Sequence, residues 1–271
     1  MPNSSEPETE VAPQNTWEWR LYPDEESMSA EACKQLVQEI RARIDPLLCL
    51  ATGLSPKRTY EHLVARAQKE PDLFAQARWM KLDEWGGLAM DDPASCEYFL
   101  RHTLLCKLDV SPERYFGWKS DPVDAEAECQ RVSDWLSVNG PVDIHVLGLG
   151  ENGHLGFNEP ANKLKLGPHI ARLSPTSLAH SMLDEAKSPV EYGLTLGMDN
   201  ILEARRILLL VSGKRKSEQL LRLAAGQVSP EFPASFLQNH PAVSIFCDTD
   251  AASLIPSSFF QSTPSQPPHA L

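Results

Sequence analysis

The stretch Asp143–Pro160, DIHVLGLGENGHLGFNEP, joins an apolar segment to a glycine-rich turn. Its first three glycines have the G-x-G-x-x-G spacing of a dinucleotide-binding turn. That motif needs a helix to begin at the last glycine, so that the helix N-terminus faces the pyrophosphate. Three residues that disfavour a helix follow instead: Gly156, Asn158 and Pro160. The stretch therefore predicts a buried strand followed by an irregular loop.

This loop carries two side chains that suit proton transfer, His154 and Glu159. A histidine can exchange protons near neutral pH, and a nearby carboxylate fixes its tautomer and stabilises its charged form. Asn152 and Gly150 precede the histidine in the same loop. A purely structural role, in which the histidine and the glutamate cap the loop, is the alternative interpretation.

Apolar, strand-like segments alternate with helical patterns along the chain. The strand-like segments are 45–53, 77–85, 142–150, 205–213 and 242–248. The helical patterns are 30–44, 57–69, 94–108, 123–138 and 214–226. Strands that are apolar on both faces and alternate with helices indicate an α/β fold with a doubly wound, mostly parallel, Rossmann-like sheet. Right-handed crossovers then place every loop that follows a strand on one rim.

Length and composition favour one domain flanked by two disordered tails. The chain has 271 residues, of which 42% are hydrophobic, enough to bury one α/β core. Residues 1–15 and 251–271 are rich in Ser, Pro and Gln and show no sustained period, so we expect both to be disordered. The predicted domain is 16–250.

The charge and the remaining composition exclude several classes of partner. A formal charge of -12 argues against nucleic acid, because a phosphate backbone needs clustered cations. No apolar run reaches the roughly 20 residues of a membrane helix, and the first residues do not have the pattern of a signal peptide. The six cysteines show no metal-ligand spacing. We expect a cytoplasmic enzyme with buried, reduced thiols and no metal.

The first strand-like segment ends in a turn that contains Thr52, Gly53, Leu54 and Ser55. Ser55 and Pro56 read as the N-cap and first residue of a helix, whose free backbone N–H groups and dipole can bind an anion. A phosphate site is therefore plausible on this rim. A capped helix start without a ligand is the alternative.

Asp83 and Glu84 follow the second strand, beside Trp85. Adjacent carboxylates near an aromatic residue suit a general base in a partly desolvated cleft, although an exposed acidic loop is the commoner reason for such a pair. The segment GKRK at 213–216 ends another strand but lacks the P-loop spacing. Lys216 there fits a phosphate contact or a basic surface. Together the rim loops predict proton transfer on a phosphorylated sugar.

Four motifs resemble those of the glucosamine-6-phosphate deaminase/isomerase family: TGLSP at 52–56, KLDEW at 81–85, GENGHLGFNEP at 150–160 and GKRK at 213–216. The resemblance runs from Trp17 to Asp248. The phrases LGLGENGHLGFNEP, YGLTLGMDNILEARRILLLVSG and PASFLQNH are most similar to the galactosamine-6-phosphate isomerase (deaminating) branch. Conversion of galactosamine 6-phosphate to tagatose 6-phosphate and ammonia is the activity that this branch implies.

The resemblance implies a role for each catalytic candidate. Asp83 would take the C2 proton of the open-chain sugar and return it at C1. His154 would open the sugar ring, with Glu159 holding it. Asn152 stands where some members have an aspartate in this relay, and an amide cannot exchange that proton. The family needs neither a metal nor an organic cofactor.

The resemblance also implies the substrate-binding residues. Thr52, Gly53, Leu54, Ser55 and Lys216 match the phosphate cradle, and Glu84 and Gly150 complete the predicted set. A helical lid over the strand ends would span 161–189.

Two positions depart from other members of the family. Counting from Glu159 places Leu183 where some members carry a lid arginine, so the phosphate contact of the lid is assigned to His180. Activator-binding basic residues of some members fall near His169 and Ala171, and we expect no such regulatory site.

Three other functions remain as alternatives. A glucosamine-6-phosphate deaminase giving fructose 6-phosphate differs only in the C4 epimer. A 6-phosphogluconolactonase shares the fold, but the ending N-E-P at 158–160 argues against it. A non-catalytic sugar-phosphate sensor would need a DNA-binding extension, which 16 residues before Trp17 cannot form. The sequence is compatible with a monomer or a homo-oligomer.

Overall fold

A seven-stranded parallel sheet forms the centre of the computed structural model, which describes residues 16–262. The strands are β1 (Thr16–Tyr22), β2 (Leu47–Leu50), β3 (Arg78–Lys81), β4 (Asp83–Gly86), β5 (Tyr115–Phe116), β6 (Ile144–Gly148), β7 (His169–Ala171), β8 (Tyr192–Thr195), β9 (Arg206–Val211) and β10 (Ala242–Asp248). The main sheet has the order β1-β10-β9-β6-β2-β3-β5. The other three strands form a small antiparallel sheet, β4-β8-β7.

Helices follow most of the strands. The α-helices are α1 (Glu25–Arg41), α2 (Leu54–Ala67), α3 (Cys96–Leu100), α4 (Ala125–Asn139), α5 (Pro175–Leu178), α6 (Met198–Leu202), α7 (Ser217–Ala224) and α8 (Ser257–Ser262). Short 3-10 helices cover Pro71–Phe74, Pro112–Arg114, Ser181–Glu185, Lys214–Lys216 and Pro233–Asn239, and a π-helix covers Arg101–Leu105. The predicted α/β fold with a doubly wound parallel sheet is confirmed.

Both faces of the main sheet are buried, which explains why its central strands are largely apolar. Along β2, Leu47 and Cys49 enter the core cluster on one face, and Leu48 and Leu50 enter the cluster on the other. Successive strand residues point to opposite faces, so a strand covered on both sides needs apolar residues at every position. The helices therefore pack as two layers around the sheet.

The order in which the chain adds strands to the sheet changes side between the neighbouring strands β2 and β6. The chain continues from β2 to β3 on one side, whereas β6, β9 and β10 lie in succession on the other. Ligands in open α/β sheets bind at such a switch point, beyond the carboxyl ends of the strands. Ala51 donates its backbone N–H to Val146 O (3.0 Å), so the loops after β2 and β6 start side by side.

Three local expectations differ from the structure. The extended segment 77–85 is two strands in two sheets, because the chain turns at Leu82. Gly53, with φ +98°, stands at the N-cap of α2 instead of Ser55. The tail predicted to begin at 251 is ordered through 262: Ala251, Ala252 and Ile255 are buried, and the Phe259 ring lies 5.0 Å from Trp19.

The expected tail at 1–15 lies outside the described residues, as do residues 263–271. The six cysteines are all free thiols, and five are buried as expected; Cys106 is exposed. The segment 161–189, expected to be helical, contains β7, α5 and the 3-10 helix Ser181–Glu185. It is therefore only partly helical, and β7 ties it to the small sheet through β8.

A buried lysine fixes the place where the chain leaves the main sheet. Lys81, the last residue of β3, is fully buried, and its ammonium group donates to Glu84 Oε2 (2.5 Å), Glu97 Oε2 (2.9 Å) and Trp118 O (3.0 Å). Leu82 bridges both sheets, because it donates to Leu50 O and accepts from the Leu196 N–H. The ion pairs and these backbone bonds together set the direction of β4.

Replacing Lys81 by methionine should lower the free energy of unfolding by about 3–5 kcal/mol, since two buried carboxylates lose their cation. Urea unfolding followed by circular dichroism measures this change. Lys34→Met is the matched control, because Lys34 pairs with Glu31 at the surface and its loss should cost below about 1 kcal/mol. Equal effects of the two substitutions would contradict a central role for Lys81.

Candidate active site

Asp83 begins β4 at the rim of the main sheet and has a buried side chain. Burial, and then the neighbouring Glu84 charge, raise the pKa of the Asp83 carboxyl to about 7, although Lys81 opposes them. One carboxylate oxygen, Oδ1, lies 4.0 Å from the Cys96 thiol. The other, Oδ2, lies beside Gly156 of the loop after β6, 3.4 Å from where a Cβ would stand. Asp83 thus has the protonation behaviour of a base that works near neutral pH.

Glu84 points into the interior and away from the cleft. Its Oε1 accepts from the backbone N–H groups of Trp85 and Cys96, each at 2.8 Å. Its Oε2 accepts from Lys81 and from the Glu97 N–H. A fully buried carboxylate with four protein donors has no free position for a ligand, so this placement argues against the predicted substrate contact of Glu84.

The loop after β6 folds back on itself instead of starting a helix, so the dinucleotide interpretation is excluded. Leu155 and Asn158 form a β-bridge, and Asn158 donates its side-chain amide to Leu155 O and Leu196 O. Gly153 has φ +89°, and a Cβ there would lie 2.1 Å from the Phe232 ring. A Cβ on Gly150 would lie 2.4 Å from the His154 ring. The imidazole therefore packs across the bare backbone of Gly150.

His154 and Glu159 lie next to each other, with Nδ1 and Oε2 3.6 Å apart. Burial raises the pKa of Glu159, but hydrogen bonding and charge from His154, with Ser177 and Asn152, lower it to about 2. Glu159 is therefore ionised at neutral pH. Both side chains keep some exposure, 19% for His154 and 11% for Glu159, so the pair can be reached from the cleft.

Asn152 connects to this pair through hydrogen bonds. Its amide nitrogen donates to Glu159 Oε2 (2.8 Å) and Ser174 Oγ (3.2 Å), and its oxygen accepts from the His154 backbone N–H (3.1 Å). All of its strong hydrogen-bonding directions point to protein groups. Asn152, which stands where the resemblance places an aspartate in some members, thus holds the loop closed.

Two serines near this pair were not predicted from the sequence. Ser177 donates to Glu159 Oε1 and lies 3.4 Å from His154 Nδ1, and the Ser174 N–H donates to Glu159 Oε1 (3.2 Å). Both belong to the start of α5, where Ser174 is the N-cap. The sequence S-P-T-S does signal a capped helix start, but it does not show that this helix packs on the histidine loop.

The N-terminus of α2 lies where the sequence predicts an anion cradle. No side chain caps it, and its first turn has no acidic residue, so its backbone N–H groups are open to a ligand. Gly53 is buried in the turn and Ser55 lies against Gly148, whereas the Leu54 side chain is 65% exposed and points outward. The Thr52 hydroxyl donates to Cys96 Sγ (3.2 Å). Leu54 can therefore contribute only its backbone.

Lys216 reaches the same rim from the turn after β9. Gly213 adopts φ +83° and donates its N–H to both carboxylate oxygens of Asp248, which fixes this turn. Burial lowers the pKa of Lys216, and Glu151 in the histidine loop partly offsets it. Within residues 16–262, the ammonium group of Lys216 makes no hydrogen bond or ion pair with a protein group, so it is available to a ligand.

His180 lies over the cradle, and Leu183 does not. The Nε2 and Cε1 atoms of His180 are 3.7 Å from where a Cβ on Gly53 would stand. Nδ1 accepts from the Met182 N–H (3.1 Å), which leaves the proton of the neutral ring on Nε2. Burial and the positive charges of Lys216 and His154 lower the pKa of His180. Leu183 instead packs against the apolar cluster around Trp85.

Other features of the described chain bear on cofactors and regulation. Residues 16–262 contain no group of three His, Cys, Asp or Glu side chains arranged to hold a metal ion. Nor do they include a helix that is long and apolar enough to span a membrane. His169 and Ala171, where some members bind an activator, are the two ends of β7, and His169 Nδ1 contacts Gly167 O.

Known proteins are similar to this chain in sequence and in fold. The family model described as "Glucosamine-6-phosphate isomerases/6-phosphogluconolactonase" matches residues 23–245. AgaI of Escherichia coli (strain K12), assigned as a deaminase, is 38% identical over 79% of this chain and 85% of its own length. A solved structure of a monomeric glucosamine-6-phosphate deaminase superposes with a TM-score of 0.84 at 36% identity, covering 88% of this chain and 99% of that one.

A 6-phosphogluconolactonase from Trypanosoma brucei superposes less closely, with a TM-score of 0.71 and 21% identity over 88% of this chain and 98% of that one. This superposition shows only that the two proteins share a fold. Together with the residues at the rim, these matches show that the chain belongs to the glucosamine-6-phosphate isomerase/6-phosphogluconolactonase family and is an enzyme of its deaminase/isomerase type.

Proposed function

We propose that this enzyme converts galactosamine 6-phosphate to tagatose 6-phosphate and ammonia. The observation that carries the proposal is the buried Asp83 carboxyl, whose pKa is raised to about 7 and whose Oδ2 faces the loop of His154 and Glu159. A base with this pKa is half ionised near neutral pH and still strong enough to take a proton next to a carbonyl. The enzyme would act in the cytoplasm.

Ring opening is the first step, and it uses His154 and Glu159. The substrate enters as a closed sugar, so a proton must leave the C1 hydroxyl and one must reach the ring oxygen. His154 performs this transfer at the mouth of the cleft, where it is partly exposed. The ionised Glu159 stabilises the imidazolium that forms in passing, and Asn152 with Ser177 holds Glu159 in place.

Proton transfer from C2 to C1 is the second step. Asp83 removes the C2 proton of the open-chain 2-amino aldose while the C1 carbonyl oxygen takes up a proton from water, which gives an enolamine, and Asp83 then returns its proton at C1. The resulting C2 iminium takes up water and releases ammonia, leaving a 2-ketose 6-phosphate. One carboxylate can serve both carbons if they lie on the same face of the intermediate, about 3 Å from it. This chemistry uses side chains alone.

Three groups bind the phosphate and set its distance from Asp83. The open N–H groups at the start of α2, with the hydroxyl of Ser55, supply neutral donors, whereas Thr52, whose hydroxyl donates to Cys96 Sγ, contributes through its backbone. Lys216 supplies a cation, and the Nε2–H of His180 supplies a donor from the segment 161–189. That segment acts as the lid, and α5 carries Ser177 to the catalytic pair. Closure of the lid therefore completes both the phosphate site and the proton relay.

The C4 epimer of the substrate is assigned from the sequence. The galacto assignment is supported by the sequence phrases around 147–160, 192–213 and 233–240. A glucosamine-6-phosphate deaminase is the second candidate, favoured by the named function of the solved relative at 36% identity. The lactonase alternative is weaker, because solved 6-phosphogluconolactonase structures that superpose on this chain are only 19–22% identical to it.

Supplying galactosamine 6-phosphate and glucosamine 6-phosphate separately should give ammonia and a ketose phosphate from both, with kcat/KM at least about tenfold higher for the galacto sugar. Coupled assays for ammonia and for each ketose measure the difference. Higher kcat/KM with the gluco sugar would reassign the substrate, and turnover of a 6-phosphogluconolactone without deamination would reject the proposal.

Asp83→Asn should reduce kcat by about a thousandfold while substrate still binds, because an amide cannot accept the C2 proton. Proton NMR in D2O should show loss of solvent exchange at C2. Asp72→Asn is the control, since Asp72 is an exposed aspartate in the Pro71–Phe74 helix. Continued C2 exchange in Asp83→Asn would remove Asp83 from the role of base.

The raised pKa of Asp83 also predicts a stability cost that is independent of catalysis. The carboxyl ionises near 3.8 when unfolded and near 7 when folded, so the native protein holds its proton longer and loses stability as pH rises between those values. Asp83→Asn should therefore melt higher than the parent at pH 8, with a smaller difference at pH 5. Calorimetry at several pH values tests this; a difference that does not change with pH would contradict the shifted pKa.

A further inference from the structure

Cys96 lies between the phosphate cradle and the catalytic carboxylate. It is the first residue of α3 and is buried. Its Sγ accepts a hydrogen bond from the Thr52 hydroxyl at 3.2 Å, and its S–H points to Asp83 Oδ1 at 4.0 Å. The thiol is thus a single side chain that connects a residue of the cradle to Asp83.

The backbone of Cys96 is held rigidly at this place. Its N–H donates to Glu84 Oε1 (2.8 Å), and Glu84 is in turn fixed by the buried Lys81. Ser95 caps α3 by accepting from the Tyr98 N–H (2.9 Å). The position of the sulfur is therefore set by the same network that directs β4.

The thiol acts as a donor because it keeps its proton. Burial, and then the negative charges of Glu84 and Asp83, raise the pKa of Cys96 well above its ordinary value. A neutral S–H is a weak donor and sulfur a weak acceptor, so the thiol can receive the Thr52 proton and point its own at a carboxylate. The direction of both contacts follows from this protonation state.

The two oxygens of Asp83 consequently have different surroundings. Oδ1 is engaged by the thiol, whereas Oδ2 lies toward Gly156 in the loop that carries His154. We propose that Cys96 is a positioning residue, whose thiol holds Oδ1 so that Oδ2 is the atom that takes the substrate proton. The inference rests on the proposed function, in which Asp83 is the base.

Other groups around Asp83 cannot replace the thiol in this role. The ionisable neighbours on the packed elements are Lys81, Glu84, Cys49 on β2 and Tyr60 on α2. Lys81 and Glu84 bind each other, and the Tyr60 hydroxyl donates to Ala51 O (2.7 Å). In the described part of the chain, the side-chain hydrogen bond to Asp83 comes from Cys96.

Cys96→Ala should lower kcat roughly threefold to tenfold with little change in KM, since a weak hydrogen bond to the ionised carboxylate is lost. The acidic limb of kcat/KM against pH should move to higher pH by about half a unit, because the lost donor favoured the charged form. Cys96→Ser should restore most of the rate and return the limb, since a hydroxyl donates from the same position.

Cys33→Ala is the matched control. Cys33 is likewise a buried helical cysteine, in α1, and it packs in the apolar cluster on the other face of the sheet. Cys33→Ala removes a buried sulfur atom, as Cys96→Ala does, but Cys33 makes no contact with Asp83 in the described chain. The kcat and the pH profile should therefore stay unchanged. If Cys96→Ala and Cys96→Ser both behave like Cys33→Ala, or if serine rescues nothing, the positioning role is wrong.

A measurement without turnover separates this inference from the proposed function. Carbon-13 NMR of labelled aspartate, assigned with Asp83→Asn, follows the titration of the Asp83 carboxyl in each variant. A midpoint that is higher in Cys96→Ala than in Cys96→Ser supports the contact even if neither amino sugar is a substrate. Unchanged midpoints in an enzyme that does deaminate would overturn the role of Cys96 and leave the proposed function intact.

Discussion

The buried ammonium group of Lys81 is the interaction on which the active site depends. It binds two carboxylates and a carbonyl at the point where the chain leaves the parallel sheet for the small antiparallel one. Desolvating three charges is costly, and the cost is recovered only when their geometry is fixed. The network therefore makes the turn at Leu82 a rigid feature, and Asp83 is held at the rim by the residues that flank it.

The same burial gives Asp83 its chemistry. A carboxyl group in water ionises near pH 4 and is a weak base, whereas Asp83, with Glu84 beside it, has a pKa of about 7. Burial of Asp83 thus lowers the free energy of unfolding above about pH 4 and brings the pKa of this carboxyl close to neutral pH. Glu159 shows the opposite outcome, since the partners His154, Ser177 and Asn152 bring its pKa down to about 2. Two carboxylates in one cleft acquire different roles from their surroundings.

The loop after β6 and the segment 161–189 act together. Ser174 and Ser177 at the start of α5 hold Glu159, and His180 in the same segment lies over Gly53 of the anion cradle. Any movement of this segment would change the histidine pair and the phosphate site at once. In the proposed mechanism, one short stretch of chain would therefore couple substrate binding to assembly of the proton relay.

The sequence by itself determined the layered α/β fold, because strands buried on both faces must be apolar at every buried position, as β2 is and as β9 is after Arg206. It also located the four rim loops, since parallel strands end on one edge. Only the tertiary structure decided that Glu84 faces inward, that Gly53 caps α2 and that Ser177 meets Glu159. Those outcomes depend on contacts between residues distant in the chain, such as Glu84 with Glu97 and Glu159 with Ser177, which local pattern does not encode.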